Sequence, residues 1–232
     1  MELIPVLDLM GGVVVHARRG MRAQYRPIAT PLCASAEPAE VAASLLALAP
    51  FRTLYIADLD AIAGKQGHDA TMRGLMESHP DVDMWVDAGE AAPPAVARRA
   101  AQGPGRPVVG SEAMVDFATG SAALAVGGAI FSLDYGPEGP RGPALLHEDA
   151  ALWPEAVIVM TLARVGAGEG PDLERLGDII RRAGNRRVYA AGGVRDLDDL
   201  ARLADAGAAG VLLASALHDG RLSPDAIARF MG

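Results

Sequence analysis

Short apolar runs alternate with amphipathic helical patterns along the whole chain. This alternation limits the possible folds of the chain more than any other feature of its sequence. Eight such units follow one another, from a strand predicted over residues 3–8 to one over residues 210–213. Continuous apolar strands joined by helical crossovers predict a parallel sheet covered by helices. Eight units favour a closed (β/α)8 TIM barrel over an open sheet, and 232 residues suffice for one such domain over residues 1–232.

An internal repeat supports the barrel and divides it into two halves. The segment Asp87-Ala88-Gly89 precedes a helical pattern, and Ala191-Gly192-Gly193 precedes a similar one 104 positions later. The pairs Gly110-Ser111 and Ala214-Ser215 are also 104 positions apart. A constant separation at two strand ends indicates duplication of a half-barrel of four units.

Each half begins with a strand that ends in an aspartate. Asp8 follows the apolar run 4–7, and Asp134 follows the run 130–133. Active sites of these barrels lie at the carboxyl ends of the strands, and the first and fifth of eight strands face each other. The sequence therefore predicts an acid–base pair across the mouth, provided that the two carboxyl environments differ. The alternative is that either aspartate only caps the next loop or helix.

A glycine pair ends the seventh predicted strand, and small residues end the eighth. Gly192 and Gly193 lead into a helical pattern that starts at Asp196, and Ala214-Ser215 follow the last strand. Glycines let a ligand approach the backbone, and free N–H groups at a helix start favour an anion. Adjacent turns after strands 7 and 8 form a phosphate site in many such barrels. The simpler reading is a tight strand-to-helix turn without a ligand.

Other polar residues and glycines at strand ends are candidate substrate contacts, although a solvated rim or a loop cap would account for each of them. The candidates are Asp58, Gly110, Ser111, Thr161 and Arg164. The five histidines show no metal-binding spacing, and the only cysteine, Cys33, excludes an internal disulfide or a cysteine metal cluster. The only lysine, Lys65, lies in a glycine-bracketed loop, which disfavours Schiff-base chemistry at a strand end.

The net charge of the chain limits the kinds of molecule that we expect it to bind. A net charge of −8 argues against binding to nucleic acid or to an anionic membrane surface. A small anionic ligand remains compatible with it, because backbone N–H groups supply local positive potential. No apolar run reaches membrane-spanning length and no signal peptide is visible, so we expect a cytoplasmic protein.

Four segments, in this order and spacing, resemble the HisA/HisF family of histidine biosynthesis, and its HisA branch in particular. They are Ile4-Pro5-Val6-Leu7-Asp8-Leu9, Tyr55-Ile56-Ala57-Asp58-Leu59, Phe131-Ser132-Leu133-Asp134 and Ala190-Ala191-Gly192-Gly193-Val194-Arg195. The resemblance implies a duplicated half-barrel and an Amadori rearrangement of a phosphorylated aminoaldose, ProFAR, to its aminoketose. It implies acid–base roles for Asp8 and Asp134, and no metal or organic cofactor.

The sequence also departs from the family pattern. The glycine-rich first phosphate turn is replaced by Asp87-Ala88-Gly89-Glu90, and the strand-6 loop reads Arg164-Val165-Gly166-Ala167 where the family carries an acid and a hydroxyl. Tyr55 stands where some members have a histidine. A phosphate placed near new carboxylates costs about 1 kcal/mol per pair in water-like surroundings. These changes predict a smaller or singly phosphorylated substrate.

Three functions follow as hypotheses. The first is a HisA-like isomerase that acts on ProFAR or a related smaller compound through Asp8 and Asp134. The second is a non-catalytic or differently specialised paralogue that binds a phosphorylated metabolite, in one-carbon cofactor biosynthesis for example. The third is a sugar-phosphate lyase or metal-assisted aldolase that uses Asp58 or Asp87.

Overall fold

Eight parallel strands close into a barrel in the computed structural model, which describes residues 1–231. The barrel strands are β1 (Glu2–Met10), β3 (Thr53–Asp58), β4 (Asp83–Asp87), β5 (Arg106–Gly110), β6 (Ile130–Gly136), β8 (Ala156–Thr161), β9 (Arg187–Ala191) and β10 (Gly210–Leu213). Closure comes from β10 pairing with β1, where Glu2 lies beside Gly210 and Ile4 beside Leu212. The predicted (β/α)8 barrel is thus confirmed.

Two short strands outside the barrel occupy matching places in the two halves. β2 (Val13–Val14) pairs antiparallel with the end of β1, and β7 (Gly139–Pro140) pairs antiparallel with the end of β6. Each hairpin directly follows the strand that carries one of the two predicted acid–base aspartates. Three barrel strands separate β1 from β6 in either direction around the barrel, so these strands face each other.

Helices surround the sheet. They are α1 (Pro38–Leu46), α2 (Leu59–Ile62), α3 (Asp69–Ser78), α4 (Pro93–Gln102), α5 (Phe117–Leu124), α6 (Ala144–Glu148), α7 (Leu173–Ala183), α8 (Leu197–Asp205), α9 (Ser215–His218) and α10 (Pro224–Met231). Asp116, Asp172 and Asp196 cap α5, α7 and α8 by accepting a backbone N–H three residues on. None of the helices within residues 1–231 has both the length and the apolar character needed to cross a bilayer.

Successive side chains of each strand point to opposite faces of the sheet, and the two faces pack into two separate hydrophobic cores. The outward face of the strands packs against helices, and Ile56 of β3 belongs to one buried cluster with Leu45 of α1 and Met72 of α3. The other face fills the barrel interior, where the Trp85 and Tyr189 rings meet edge to face with centroids 4.9 Å apart. The next inward-facing residue of β4 after Trp85 is Asp87, so this aromatic layer supports the floor of the mouth.

We predict that Gly210→Ala destabilises the barrel by about 1–3 kcal/mol, the usual cost of overpacking a core. A Cβ at Gly210 would lie 2.6 Å from Tyr189 Cδ1 and 2.9 Å from the carbonyl oxygen of Glu2. Urea denaturation measures the free energy of unfolding. The matched control is Gly74→Ala on α3, where a Cβ meets nothing within 4 Å and should stabilise by about 0.5–1 kcal/mol. Equal effects of the two substitutions would contradict the packing argument.

Candidate active site

A cavity of about 460 Å³ opens at the carboxyl ends of the barrel strands. Alternation along the strands turns carboxyl side chains into it from β1, β4 and β6, and backbone turns after β9 and β10 complete its wall. The lining residues that matter for its chemistry are Asp8, Tyr55, Asp87, Glu112, Asp134, Gly192, Gly193, Ala214 and Ser215.

Asp134 is buried and fixed by three donors. Its Oδ1 accepts from the Ser132 hydroxyl at 2.7 Å, and its Oδ2 accepts from the Glu112 N–H at 3.1 Å and the Ser111 hydroxyl at 3.3 Å. Burial raises the pKa of Asp134 to about 7, and the nearby Asp87 charge adds to the rise, while the Ser132 and Glu112 donors oppose it. The carboxyl is thereby oriented and remains able to exchange a proton near neutral pH.

Asp8 faces the same cavity from the opposite strand in a different environment. Within residues 1–231 its carboxyl receives no hydrogen bond, in contrast to the three at Asp134. Burial alone raises the pKa of Asp8 to about 7. The structure therefore brings the two predicted aspartates to one cavity with different hydrogen-bond partners, while burial raises both pKa values to about 7.

A third carboxyl, Asp87, and the Tyr55 hydroxyl also lie in the cavity, although the sequence suggested no role for Tyr55. The Tyr55 hydroxyl donates to Asp87 Oδ2 at 3.4 Å. Burial raises the pKa of Asp87 to about 6, and burial with the charges of Asp87, Asp134 and Asp8 raises that of Tyr55 well above its ordinary value. The Tyr55 phenol therefore stays protonated among the three carboxyls.

Gly110 leaves room for two of these carboxyls. A Cβ built there would lie 3.0 Å from Asp134 Oδ2 and 3.7 Å from Asp87 Oδ2. Its neighbour Ser111 is fully buried and holds Asp134, because its hydroxyl accepts the Asp134 N–H at 2.9 Å. The structure thus places Ser111 behind a carboxyl rather than in the cavity.

The opposite side of the cavity is formed by backbone turns. Gly192 and Gly193 have φ values of +101° and +92°, in the region that favours glycine. A Cβ at Gly192 would lie 2.8 Å from the Thr161 carbonyl oxygen, and one at Gly193 would collide with the carbonyl of Gly170. Both glycines are therefore required by the close approach of neighbouring loops, independently of any ligand.

Ser215 lies next to His16, a residue that no sequence pattern singles out. His16 Nε2 is 3.1 Å from the Ser215 hydroxyl oxygen, although 199 positions separate the two residues. Burial and the charges of Arg18 and Arg221 lower the pKa of His16. Arg221 also lines the cavity, so a guanidinium lies on the same side as the backbone turns.

The other three candidate contacts, like Gly110 and Ser111, are not among the residues that line this cavity. The Asp58 carboxylate accepts from Ala61 N–H, His68 N–H and His68 Nδ1, and so shapes the β3–α3 connection. Thr161 lies one residue beyond Met160, the residue of β8 that faces inward, and does not line the cavity. The Arg164 guanidinium donates to the carbonyls of Gly170 and Pro171 at 2.9 and 3.1 Å, and so fastens its own loop.

The turn after β4 brings one carboxylate into the cavity, whereas the sequence suggested two. Glu90 points away from the mouth and pairs with the buried Arg99, with 2.6 Å between Glu90 Oε2 and Arg99 Nε. Asp87 Oδ1 accepts the Gly89 N–H at 3.0 Å, which tightens the turn. Repulsion of a phosphate at this turn therefore rests on Asp87 and not on Glu90.

We predict that Asp8→Asn raises the melting temperature at pH 8 and that the gain shrinks as the pH falls towards 4. The folded pKa of about 7 lies above the ordinary 3.8, so folding binds a proton between these values and Asp8 lowers stability as the pH rises through them. Calorimetry at several pH values measures the difference. Asp81→Asn, at an exposed aspartate before β4, is the control. A pH-independent gain would contradict the burial of the Asp8 charge.

Comparison with known proteins places the chain in a family. It matches the family described as "Histidine biosynthesis protein" over residues 2–139 and 144–223. An uncharacterized protein of Methanocaldococcus jannaschii is 26% identical over the full length of both chains. In Rhodospirillum rubrum, 1-(5-phosphoribosyl)-5-((5-phosphoribosylamino)methylideneamino) imidazole-4-carboxamide isomerase is 29% identical, covering 96% of this chain and 95% of the relative.

A further relative carries an isomerase name. Phosphoribosyl isomerase A of Mycobacteroides abscessus is 27% identical and the match covers 97% of each chain. The similarity is thus low in identity but extends over whole chains. Because the family match covers both halves of the barrel, this chain belongs to the histidine biosynthesis protein family, in agreement with its resemblance to HisA and HisF.

Proposed function

We propose that this chain is a HisA-like sugar-phosphate isomerase that performs an Amadori-type aldose–ketose rearrangement of a phosphorylated aminosugar. The observation that carries the proposal is the pair Asp8 and Asp134, which face one cavity from opposite strands with pKa values raised to about 7. Relatives along the whole chain that are named as isomerases support the reaction class.

The chemistry needs one proton donor and one proton acceptor on the two sides of the sugar. One carboxyl protonates the ring oxygen and opens the ring, and the other moves the C2 proton to give the enolamine that becomes the ketose. Groups with a pKa near the working pH do this best, because both protonation states are populated. Burial brings both aspartates into that range, and the donors on Asp134 fix its position.

The backbone turns fit the phosphate. Gly192, Gly193, Ala214 and Ser215 line the side of the cavity where the Arg221 guanidinium adds positive potential. Opposite them stands Asp87, which disfavours a second phosphate at the turn after β4. The arrangement favours a substrate with one phosphate, smaller than the bis-phosphorylated compound named for the relatives.

We predict that Asp8→Asn and Asp134→Asn each lower kcat by about 10²- to 10⁴-fold, the usual contribution of a positioned acid or base. Turnover of ProFAR and of singly phosphorylated aminopentoses is followed by absorbance or by chromatography. Asp58→Asn is a control, because its carboxyl lies outside the cavity lining and serves the fold. Binding of a sugar phosphate without turnover, in wild type and in both variants, would favour a non-catalytic binding protein instead.

We further predict a bell-shaped profile of kcat/KM with its maximum near pH 7. Below that pH the accepting carboxyl becomes protonated, and above it the donating carboxyl becomes ionised, so activity falls on both sides. The rates of wild type are measured from pH 5 to pH 9 with a substrate found in the first assay. A profile that is flat across this range would exclude the pair as acid and base.

A further inference from the structure

Glu112 is held between two arginines at the mouth of the cavity, on the side away from the glycine turns. Arg22 NH2 is 3.2 Å from Glu112 Oε1, and Arg141 NH1 is 2.8 Å from Glu112 Oε2. The three residues come from the segment after β2, the turn after β5 and the segment after β7, and all three line the cavity. We call them the mouth clamp.

Backbone and side-chain hydrogen bonds hold two residues of the mouth clamp, Arg141 and Glu112, in position. The Arg141 N–H donates to the Asp134 carbonyl at 2.8 Å, and the Arg141 carbonyl accepts from His147 Nε2 at 2.8 Å, so its backbone is fixed on both sides. Gly136 leaves space for its guanidinium, since a Cβ there would lie 2.8 Å from Arg141 Nε. The Glu112 N–H is itself bound to Asp134. The clamp therefore sits directly beside the proposed acid–base centre.

Two guanidinium groups that converge at a cavity mouth form an anion site. In this chain the two carboxylate oxygens of Glu112 occupy that site, one facing each arginine. The Glu112 side chain is 25% exposed and those of Arg22 and Arg141 are 40% and 48% exposed, so an incoming anion can reach all three. A second phosphate would have to displace Glu112 and would then face its charge and that of Asp87.

We propose that Glu112 is a specificity-determining residue, an internal carboxylate that fills the Arg22–Arg141 anion site and so selects singly phosphorylated substrates against doubly phosphorylated ones. This inference rests on the proposed function, because it takes the glycine turns as the site of the first phosphate. Selection of this kind works by an unfavourable charge against the wrong ligand, as well as by contacts to the right one.

Isothermal titration calorimetry tests the proposed role of Glu112 without relying on turnover. Ribose 5-phosphate is the singly phosphorylated probe, and the carboxamide bisphosphate named for the Rhodospirillum rubrum relative is the doubly phosphorylated probe. Glu112→Gln and Glu112→Ala should raise the affinity for the second probe relative to the first by about 10- to 100-fold, the value of one charged hydrogen bond. Adding Arg22→Met and Arg141→Met to Glu112→Ala should remove the gain.

The matched control is Glu138→Gln, which removes the same charge from an exposed position on the β6–β7 hairpin and should leave the ratio of affinities unchanged. Circular dichroism and the melting temperature confirm that each variant folds. If wild type binds ribose 5-phosphate but the ratio does not rise in either Glu112 variant, or if the gain survives loss of both arginines, this inference fails and the proposed function stands. If ribose 5-phosphate binds to none of the proteins, both fail.

Discussion

The burial of carboxyl groups in an apolar barrel mouth is the constraint on which the proposed chemistry depends. An ionised carboxylate out of water is costly, so the folded protein raises the pKa values of Asp8, Asp87 and Asp134 towards neutrality. That cost lowers the stability of the fold at neutral pH and gives the side chains a reactive proton equilibrium. The hydrophobic interior beneath them, with the Trp85–Tyr189 contact at its centre, compensates for the unfavourable burial.

The two sides of the cavity differ in the charged and hydrogen-bonding groups that they present to a ligand. On the side of β9 and β10, glycine turns with backbone N–H groups and the nearby Arg221 guanidinium favour an anion. On the side of β4 and β5, Asp87 adds a carboxyl group, and within the Arg22–Glu112–Arg141 clamp the carboxylate is paired with both guanidinium groups. A duplicated fold thus presents unlike ends to a ligand, which agrees with the loss of symmetry between the two glycine-rich turns in the sequence.

The barrel and the placement of Asp8 and Asp134 at one cavity could be predicted from the sequence, because strand order and alternation are local, periodic properties. Asp8 and Asp134 end the first strands of two repeats, and equivalent positions in a closed barrel must face each other. The position of Thr161 outside the cavity lining could not be predicted, because the end of a strand does not reveal which face its last residue occupies. The capture of Arg164 by two carbonyls and the approach of His16 to Ser215 depend on tertiary contacts that no local pattern encodes.

In the proposed site, the residues that recognise the ligand follow the hairpins at the ends of β1 and β6, and the barrel strands form the scaffold. Arg22 and His16 belong to the segment that follows β2, and Arg141 follows β7, whereas the two carboxyls of the proposed acid–base pair lie on the barrel strands themselves. Grafting these two segments from one homologue onto another would exchange the ligand selectivity of the cavity and leave the pairing of the barrel strands intact. Natural divergence can use the same route, with gene duplicates acquiring new specificities by remodelling two surface insertions.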